Sequence, residues 1–243
     1  MRLTFLGTGS AMPTGERMQT GLLVEKPGSR LLVDCGSGVL HTLARTDVGY
    51  EGVDTVLLTH HHVDHVSDLL PLLKARWLAG EESLTVVGPP GTKDLLDGLL
   101  DVHDYLRGRV DLAVREVEPG AFSVAGFDVD AIETRHSMAG HAYRFDDELA
   151  FSGDTEAFDG MAEFAEGCSA LVHDCSFPDE VDVANHPTPT QLGESLSGSG
   201  IPDLYLTHLY PHTDGEHDAM TESIAAHYDG DVHFARDGLS VDV

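Results

Sequence analysis

The sequence predicts an α/β fold, a four-layer αββα sandwich in which two β-sheets pack face to face and helices cover their outer sides. Strand-like and helix-like segments alternate in both halves of the 243-residue chain, and no linker or low-complexity segment separates the halves. Several apolar strands end directly in metal-ligand residues, so strand ends from both halves should converge on one site. We therefore expect residues 1–243 to form a single domain.

The first half is predicted to consist of strands joined by tight turns, followed by two helices. Pro27 and Gly28 provide the turn chemistry of a hairpin, and apolar residues recur at helical spacing beyond Asp64. The predicted elements are strands at Met1–Gly7, Thr20–Glu25 and Arg30–Asp34, a buried strand ending at Thr59, and helices around Leu69–Leu78 and Leu95–Leu100.

The second half repeats this alternation of strands and helices. Two of its strand pairs are close enough in sequence to form hairpins. The predicted elements are strands at Phe122–Val124, Phe127–Ile132, Ala142–Phe145, Leu149–Ser152, Ala170–His173 and Asp203–Thr207, and helices near Ala157–Ala165, Pro189–Ser197 and His217–Tyr228.

The composition predicts a cytoplasmic protein with a substantial core. Hydrophobic residues make up 41% of the chain, and no stretch reaches the roughly 18 apolar residues of a membrane span. The apolar stretch at the start is too short for a signal peptide. Three cysteines, Cys35, Cys168 and Cys175, make no disulfide framework and fit buried free thiols in a reducing compartment. We expect no membrane partner, and homodimer formation stays open.

The acidic charge is extreme and evenly spread. Asp and Glu number 42 against 14 Lys and Arg, which gives a formal net charge of −28. Such a surface repels itself in dilute buffer and is screened by molar salt. It resembles the proteins of salt-accumulating halophilic archaea, with an ordinary acidic protein as the alternative. The same charge disfavours a broad nucleic-acid footprint, which requires basic surface.

The densest set of metal-ligand residues follows the apolar run Val56–Leu58. It is Thr59-His60-His61-His62-Val63-Asp64-His65, which reads as H-x-H-x-D-H. We expect this cluster to lie on a loop between the buried strand and a helix that follows it. Imidazole and carboxylate ligands suit Zn²⁺, with Mn²⁺ or Fe²⁺ as substitutes. Four ligands in six positions are too many for one ion that keeps an open site, so two divalent ions fit better. The alternative, a histidine-rich surface loop, is disfavoured by the buried strand that precedes it.

Three further ligand candidates, His136, Asp154 and His208, each follow a predicted strand. One histidine at a strand end would mean little, so the repetition of this pattern carries the prediction. Asp154 is suited to bridge two cations because a carboxylate has two oxygens and offsets the repulsion between them. Asp34 either orients a ligand histidine or is simply a turn residue.

Six segments in the same order resemble the ribonuclease Z-like branch of the metallo-β-lactamase superfamily. The resemblance covers nearly the whole chain, and it implies the αββα fold of that superfamily and a metal-dependent hydrolase. The segments are Gly7-Thr8-Gly9-Ser10, Asp34-Cys35-Gly36-Ser37-Gly38, the Thr59–His65 cluster, His136 with Tyr143-Arg144, Ser152-Gly153-Asp154-Thr155, and Leu206-Thr207-His208.

The resemblance also implies how two metal ions share the ligands. Asp64 counts among the catalytic residues as well as the ligands. The implied sets are His60, His62 and His136 for one ion, Asp64, His65 and His208 for the other, and Asp154 as the bridge.

His186 and Asp174 are the candidates for proton transfer. Ribonuclease Z carries a His-Glu-Ala-Thr loop and then a His-Ser-Thr segment, which appear here as His173-Asp174-Cys175-Ser176 and His186-Pro187-Thr188. An acid near an unliganded histidine can tune it as a general acid. We therefore assign His186 as the proton donor and Asp174 as its support. The alternative for His186 is a turn residue before the helix at Pro189.

Two departures from the family pattern bear on the substrate. The family's tRNA-binding arm lies between the motif histidine and the bridging aspartate, but His136 to Asp154 has room for one hairpin only. The usual Ser-Arg-Tyr after the last ligand histidine is replaced by Leu209-Tyr210-Pro211-His212. Both departures favour hydrolysis of a small or cyclic phosphodiester.

Other functions stay open with less support from the residues. One is a tRNA 3′-end processing endoribonuclease, with RNA as a disfavoured partner; another is a thioester or lactam hydrolase on the same fold. A redox di-iron protein is opposed by His62, because such proteins usually carry glutamate there. A catalytically silent metal-binding module is opposed by the complete ligand set.

Overall fold

Two seven-stranded sheets make up the centre of the molecule. The computed structural model describes residues 1–181 and 183–243. The first sheet has the strand order β14 (Ser240–Asp242), β1 (Arg2–Gly7), β2 (Gly21–Lys26), β3 (Ser29–Val33), β4 (Thr55–Leu57), β5 (Ser83–Gly88), β6 (Asp111–Glu116). The second has the order β13 (Asp231–Phe234), β12 (Asp203–Thr207), β11 (Ala170–Asp174), β10 (Leu149–Phe151), β9 (His141–Phe145), β8 (Phe127–Glu133), β7 (Gly120–Val124).

The main core lies between the two sheets. Leu3 and Phe5 of β1 pack in one buried cluster with Tyr143 and Phe145 of β9. Successive side chains of a strand point to opposite faces, so alternate residues enter this layer and the intervening ones face the helices. The sheets thus pack face to face, as the sequence predicts.

Helices cover the outer face of each sheet. They are α1 (Val39–Leu43), α2 (Val63–Val66), α3 (Leu69–Ala79), α4 (Thr92–Val102), α5 (Asp159–Phe164), α6 (Pro189–Ser195) and α7 (His217–Ala225), with 3₁₀ turns at Asp104–Leu106 and Pro211–Thr213. Leu72 of α3 and Leu96 of α4 bury against the first sheet. Leu192 of α6 and Ile224 of α7 bury against the second. This arrangement confirms the αββα sandwich.

All three predicted hairpins, β2–β3, β7–β8 and β9–β10, are confirmed by antiparallel pairing. The strand before the ligand cluster ends at Leu57, two residues earlier than predicted, and the helices α5, α6 and α7 are shorter than predicted. The prediction that a helix only follows the cluster is wrong, because Asp64 and His65 themselves lie in α2. Sequence analysis did not identify α1, β5, β6, β13 or β14.

The strand directions bring the ligand-bearing loops to one edge of the sandwich. β3 is parallel to β4, and β10 is parallel to β11 and β11 to β12. β8 and β10 each pair antiparallel with β9, so they also run in the same direction. Within each sheet the carboxyl ends of these strands therefore lie at a common edge.

The described part of the chain contains no helix that is long and apolar enough to cross a membrane. Cys35, Cys168 and Cys175 are all buried as free thiols, as expected from the composition.

Close packing at Gly36 provides a test of how the backbone of α2, which carries Asp64 and His65, is held in place. A Cβ atom at Gly36 would lie 2.0 Å from the carbonyl oxygen of Asp64, which is backbone and cannot move aside cheaply. We expect Gly36→Ala to lower the free energy of unfolding by about 1–3 kcal/mol through overpacking. Urea unfolding of the variant and the wild type measures this difference.

Gly98 is the matched control. It lies inside α4, and a Cβ atom there would meet nothing within 4 Å. Gly98→Ala should raise the free energy of unfolding by about 0.5–1 kcal/mol, because alanine loses less backbone entropy in a helix. Equal stability of Gly36→Ala and the wild type would contradict the close approach of the α2 backbone to Gly36.

Candidate metal centre

The structure brings all seven predicted ligand residues together at the edge where the strands end. His60 and His62 lie on the loop after β4, and His136, Asp154 and His208 follow β8, β10 and β12. Asp64 and His65 come from the short helix α2. Their ligand atoms form two groups, and within each group all atoms lie within 4.8 Å of one another.

The first group consists of His60, His62, His136 and Asp154. His62 Nδ1 lies 3.0 Å from His60 Nε2 and 3.1 Å from His136 Nε2. Three ring nitrogens this close cannot all be paired with one another by hydrogen bonds, because one proton serves one acceptor. Zinc–nitrogen bonds of about 2.0–2.1 Å would account for such a spacing.

The second group consists of Asp64, His65 and His208. His208 Nε2 lies 3.2 Å from Asp64 Oδ2, and His65 Nε2 lies 3.8 Å from the same oxygen. Asp154 stands between the groups: its Oδ2 is 3.3 Å from His65 Nε2, 3.2 Å from His208 Nε2 and 3.7 Å from His60 Nε2. This is the position that a bridging carboxylate would occupy.

Each of four histidines has its second ring nitrogen held by a neighbouring group. When such a ring is neutral and donates through this outer nitrogen, the nitrogen that faces the site carries no proton, which is the form that binds a metal. The pairs are His60 Nδ1 with Thr59 Oγ1 at 3.0 Å, His65 Nδ1 with Asp34 Oδ2 at 2.7 Å, His136 Nδ1 with the Asn185 carbonyl at 3.0 Å, and His208 Nδ1 with Ser176 Oγ at 2.9 Å.

The residues fit divalent cations. His65 Nε2 is buried and has no hydrogen-bond partner among the described residues, although a buried polar atom normally has one. It faces the carboxylate of Asp154, and a cation between the two would satisfy both groups. Nitrogen and carboxylate donors are the set that zinc, manganese and iron accept. The site therefore binds divalent metal.

Burial and charge shift the pKa values of the ligand residues in different directions. Burial lowers the pKa of His60 well below its ordinary value, so its imidazole is neutral at neutral pH. Burial alone would raise the pKa of Asp154, but the neighbouring His208 and His65 hold it well below its usual range. For His65 burial lowers the pKa, yet Asp154 and Asp34 outweigh it and raise the pKa well above normal. The pocket thus favours positive charge beside His65 Nε2.

His186 and Asp174 lie together beside the metal ligands. His186 Nδ1 is 2.5 Å from Asp174 Oδ2, and Ser176 Oγ donates to Asp174 Oδ1 at 2.5 Å. The His186 ring stacks on His208 at a centroid distance of 5.3 Å. Burial lowers the pKa of His186, but Asp174 more than compensates and raises it to about 9. Asp154, His186 and His208 also form a third possible ligand group, so a ligand role for His186 needs a test.

Three residues that the sequence analysis gave no role support the site. Thr59 accepts from His60 and donates to Asp34 Oδ2, Ser176 connects His208 to Asp174, and the Asn185 carbonyl accepts from His136. Thr59 and Ser176 stand inside segments that match the family, which was the available signal. The use of a backbone carbonyl at Asn185 leaves no signal in the sequence.

Two site residues adopt left-handed backbone conformations where their strands end. Asp34 has φ +58° and His208 has φ +56°, values that cost energy for residues other than glycine. Both side chains make buried hydrogen bonds. Strain is therefore present at the metal centre and is offset by those contacts.

A cavity of about 320 Å³ opens onto the ligands. Tyr210, Ala11, Ser137 and Asn185 line it together with the metal-ligand residues and His186. Tyr210 stacks on Phe177 at a centroid distance of 4.4 Å. Burial, with Asp64, Asp154 and Asp174 nearby, raises the pKa of Tyr210 to about 12.

The chain is similar to a known protein family along most of its length. Residues 1–225 match the family model described as anti-Pycsar protein Apyc1. The ribonuclease Z of Methanopyrus kandleri is 33% identical over 283 aligned positions, which cover 99% of this chain and 97% of that protein.

Solved structures agree with this assignment. The metallo-β-lactamase fold protein YhfI from Bacillus subtilis is 26% identical, with a TM-score of 0.85 over 99% of this chain and 98% of that one. Human short-form tRNase Z is 20% identical, with a TM-score of 0.80 over 100% and 99%, a likeness that shows the fold. The chain belongs to the Apyc1 family, within the ribonuclease Z-like branch of the metallo-β-lactamase superfamily, and is a metal-dependent hydrolase.

Proposed function

We propose that the protein is a single-domain phosphodiesterase that binds two divalent cations and hydrolyses a small or cyclic phosphodiester. Zn²⁺ suits the donor set best, with Mn²⁺ or Fe²⁺ as substitutes. One observation carries the proposal: His186, a histidine outside the seven-residue ligand set, lies beside that set and is held by Asp174. A hydrolase whose leaving group is an alkoxide needs such a proton donor.

Each residue of the site has a role in this proposal. His60, His62 and His136 would hold one cation, Asp64, His65 and His208 the other, and Asp154 both. When bound, two such cations lower the pKa of a water molecule and polarise the phosphoryl oxygens. Asp64 Oδ2 lies 3.2 Å from His208 Nε2. Its negative carboxylate would therefore also favour a cation in the second metal site.

His186 would protonate the leaving oxygen through Nε2. Its Nδ1 faces the Asp174 carboxylate at 2.5 Å, which fixes the ring orientation and favours the protonated form. Asp174 in turn accepts a hydrogen bond from Ser176 Oγ, which fixes the orientation of its carboxylate. The shorter aspartate therefore still reaches His186, and this geometry supports Asp174 as its partner.

Several features support a small substrate over tRNA. The chain between His136 and Asp154 contains only the hairpin β9–β10. The alignment with the Methanopyrus kandleri enzyme runs over 283 positions, more than the 243 residues of this chain, so that relative carries segments without a counterpart here. A net charge of −28 also opposes the binding of a long polyanion.

The rival function is RNA processing, since the similar Methanopyrus kandleri protein is named ribonuclease Z. A substrate panel in molar KCl with Zn²⁺ or Mn²⁺ separates the two. We expect cleavage of cyclic nucleotides and other small phosphodiesters, and little trimming of precursor tRNA. Efficient, position-specific trimming of precursor tRNA would overturn the proposed substrate class. A thioester substrate in the same panel tests the remaining alternative on this fold.

The metal stoichiometry gives a direct test of the ligand set. Elemental analysis should find close to two ions per wild-type chain, and fewer in Asp154→Ala, because Asp154 would contact both. Asp104→Ala is the control, since Asp104 is exposed in a 3₁₀ turn away from the cavity. Full metal content in Asp154→Ala would remove Asp154 from the site.

The proton-donor role of His186 predicts a dependence on the leaving group. His186→Ala should retain its metal and lose about 10²–10⁴-fold in kcat on a nucleoside phosphodiester. A nitrophenyl phosphodiester should lose much less, because its leaving group is acidic and needs little protonation. Steady-state kinetics on both substrates measures the difference.

His227→Ala provides the control for that experiment, because His227 is exposed just beyond α7. Equal losses on both substrates would assign His186 a positioning role. Loss of metal together with activity would make His186 a ligand, the role that its distance from Asp154 and His208 also permits.

A further inference from the structure

We propose that Tyr210 contacts the substrate, and that its hydroxyl donates a hydrogen bond to a non-bridging oxygen of the phosphodiester. The inference rests on the proposed phosphodiesterase function and adds one residue to the site. It concerns the segment after His208, where the sequence departs from the usual family pattern.

Tyr210 lies within the cavity that opens onto the metal ligands. Its side chain lines that cavity together with Asp64, Asp154 and His186. The ring centroid is 5.6 Å from that of His208 and 6.1 Å from that of His186. A phosphodiester held by cations at these ligands would therefore lie within reach of the tyrosine side chain.

The Tyr210 ring is held in a fixed direction. One face stacks on Phe177, with the ring planes inclined by 28°. The backbone N–H donates to the Ser176 carbonyl at 3.3 Å, and the carbonyl accepts from the Thr213 N–H at 3.0 Å. Thr213 Oγ1 donates to the same carbonyl at 2.9 Å. A side chain braced in this way loses little entropy when it contacts a ligand.

The hydroxyl of Tyr210 makes no hydrogen bond to any described residue of the protein. By contrast, Tyr143 and Tyr228 each donate to a backbone carbonyl at 2.8 Å, so tyrosines with a structural role here use their hydroxyls within the fold. A half-buried hydroxyl that stays unpaired in the protein is available to a ligand. Tyrosine keeps this proton at neutral pH, since its ordinary pKa is about 10.

Histidines are the only basic side chains among the described residues that line the cavity. The described residues that line it include no lysine or arginine, and Asp64 and Asp154 are among them. An anionic phosphodiester must then be held by the cations, by protonated His186 and by neutral donors. The Tyr210 hydroxyl is such a donor, and it brings no charge that would compete with the cations for the carboxylates.

Tyr210→Phe tests the proposal, because it removes only the hydroxyl and keeps the ring on Phe177. We expect kcat/KM to fall about 10- to 100-fold, the usual effect of losing a hydrogen bond to a charged group. The loss should be the same for a nitrophenyl phosphodiester and for a cyclic nucleotide, because both present the same non-bridging oxygens. Metal content, measured by elemental analysis, should not change. Tyr105→Phe, on the exposed 3₁₀ turn, is the matched control.

Three outcomes would overturn the Tyr210 proposal while leaving the proposed function intact. They are wild-type kinetics in Tyr210→Phe, a loss confined to the substrate with the poorer leaving group, and a loss that follows reduced metal content. If the wild-type protein cleaves neither phosphodiester, the proposed function itself fails, and the Tyr210 proposal fails with it. Equal losses on both substrates with unchanged metal content support the hydroxyl contact.

Discussion

The metal centre depends on one buried carboxylate, that of Asp34. Its Oδ1 accepts the backbone N–H of Thr59 at 2.8 Å, while Oδ2 accepts the Thr59 hydroxyl at 2.8 Å and His65 Nδ1 at 2.7 Å. One side chain therefore ties the end of β3 to the start and the end of the ligand cluster. Removing it would leave buried donors unpaired at both ends. The left-handed backbone of Asp34 is the strain that this arrangement requires.

Control of the histidine tautomers extends outward from Asp34. Thr59 contacts both Asp34 and His60 Nδ1 and so orients the His60 ring. Ser176, which follows a strand of the other sheet, orients the His208 ring independently of Asp34. Because these rings are oriented by their neighbours, the nitrogens that face the site converge. The same Ser176 also reaches Asp174, so metal binding and the proposed proton donor share one hydrogen-bonded support.

The net charge of the protein affects which substrates it can bind. A chain with a formal net charge of −28 attracts cations into an acidic pocket and repels long polyanions. In this setting the proposed anionic substrate would be held where the local charge is reversed, beside bound cations and His186. Under the proposal made above, a neutral donor such as the Tyr210 hydroxyl would add a hydrogen bond to the substrate without adding a positive charge that competes with the cations.

The sequence by itself determined the sandwich, the order of its ligand-bearing strands and the seven candidate ligands, because apolar periodicity and strand-end polar residues are local patterns. It missed β6 and β13, whose residues are only partly buried, and it placed Asp64 and His65 on a loop. Only the tertiary structure decided that Asp34 holds a ligand histidine and that Tyr210 faces the cavity. Those facts depend on contacts between residues far apart in sequence, and no local pattern encodes such distances.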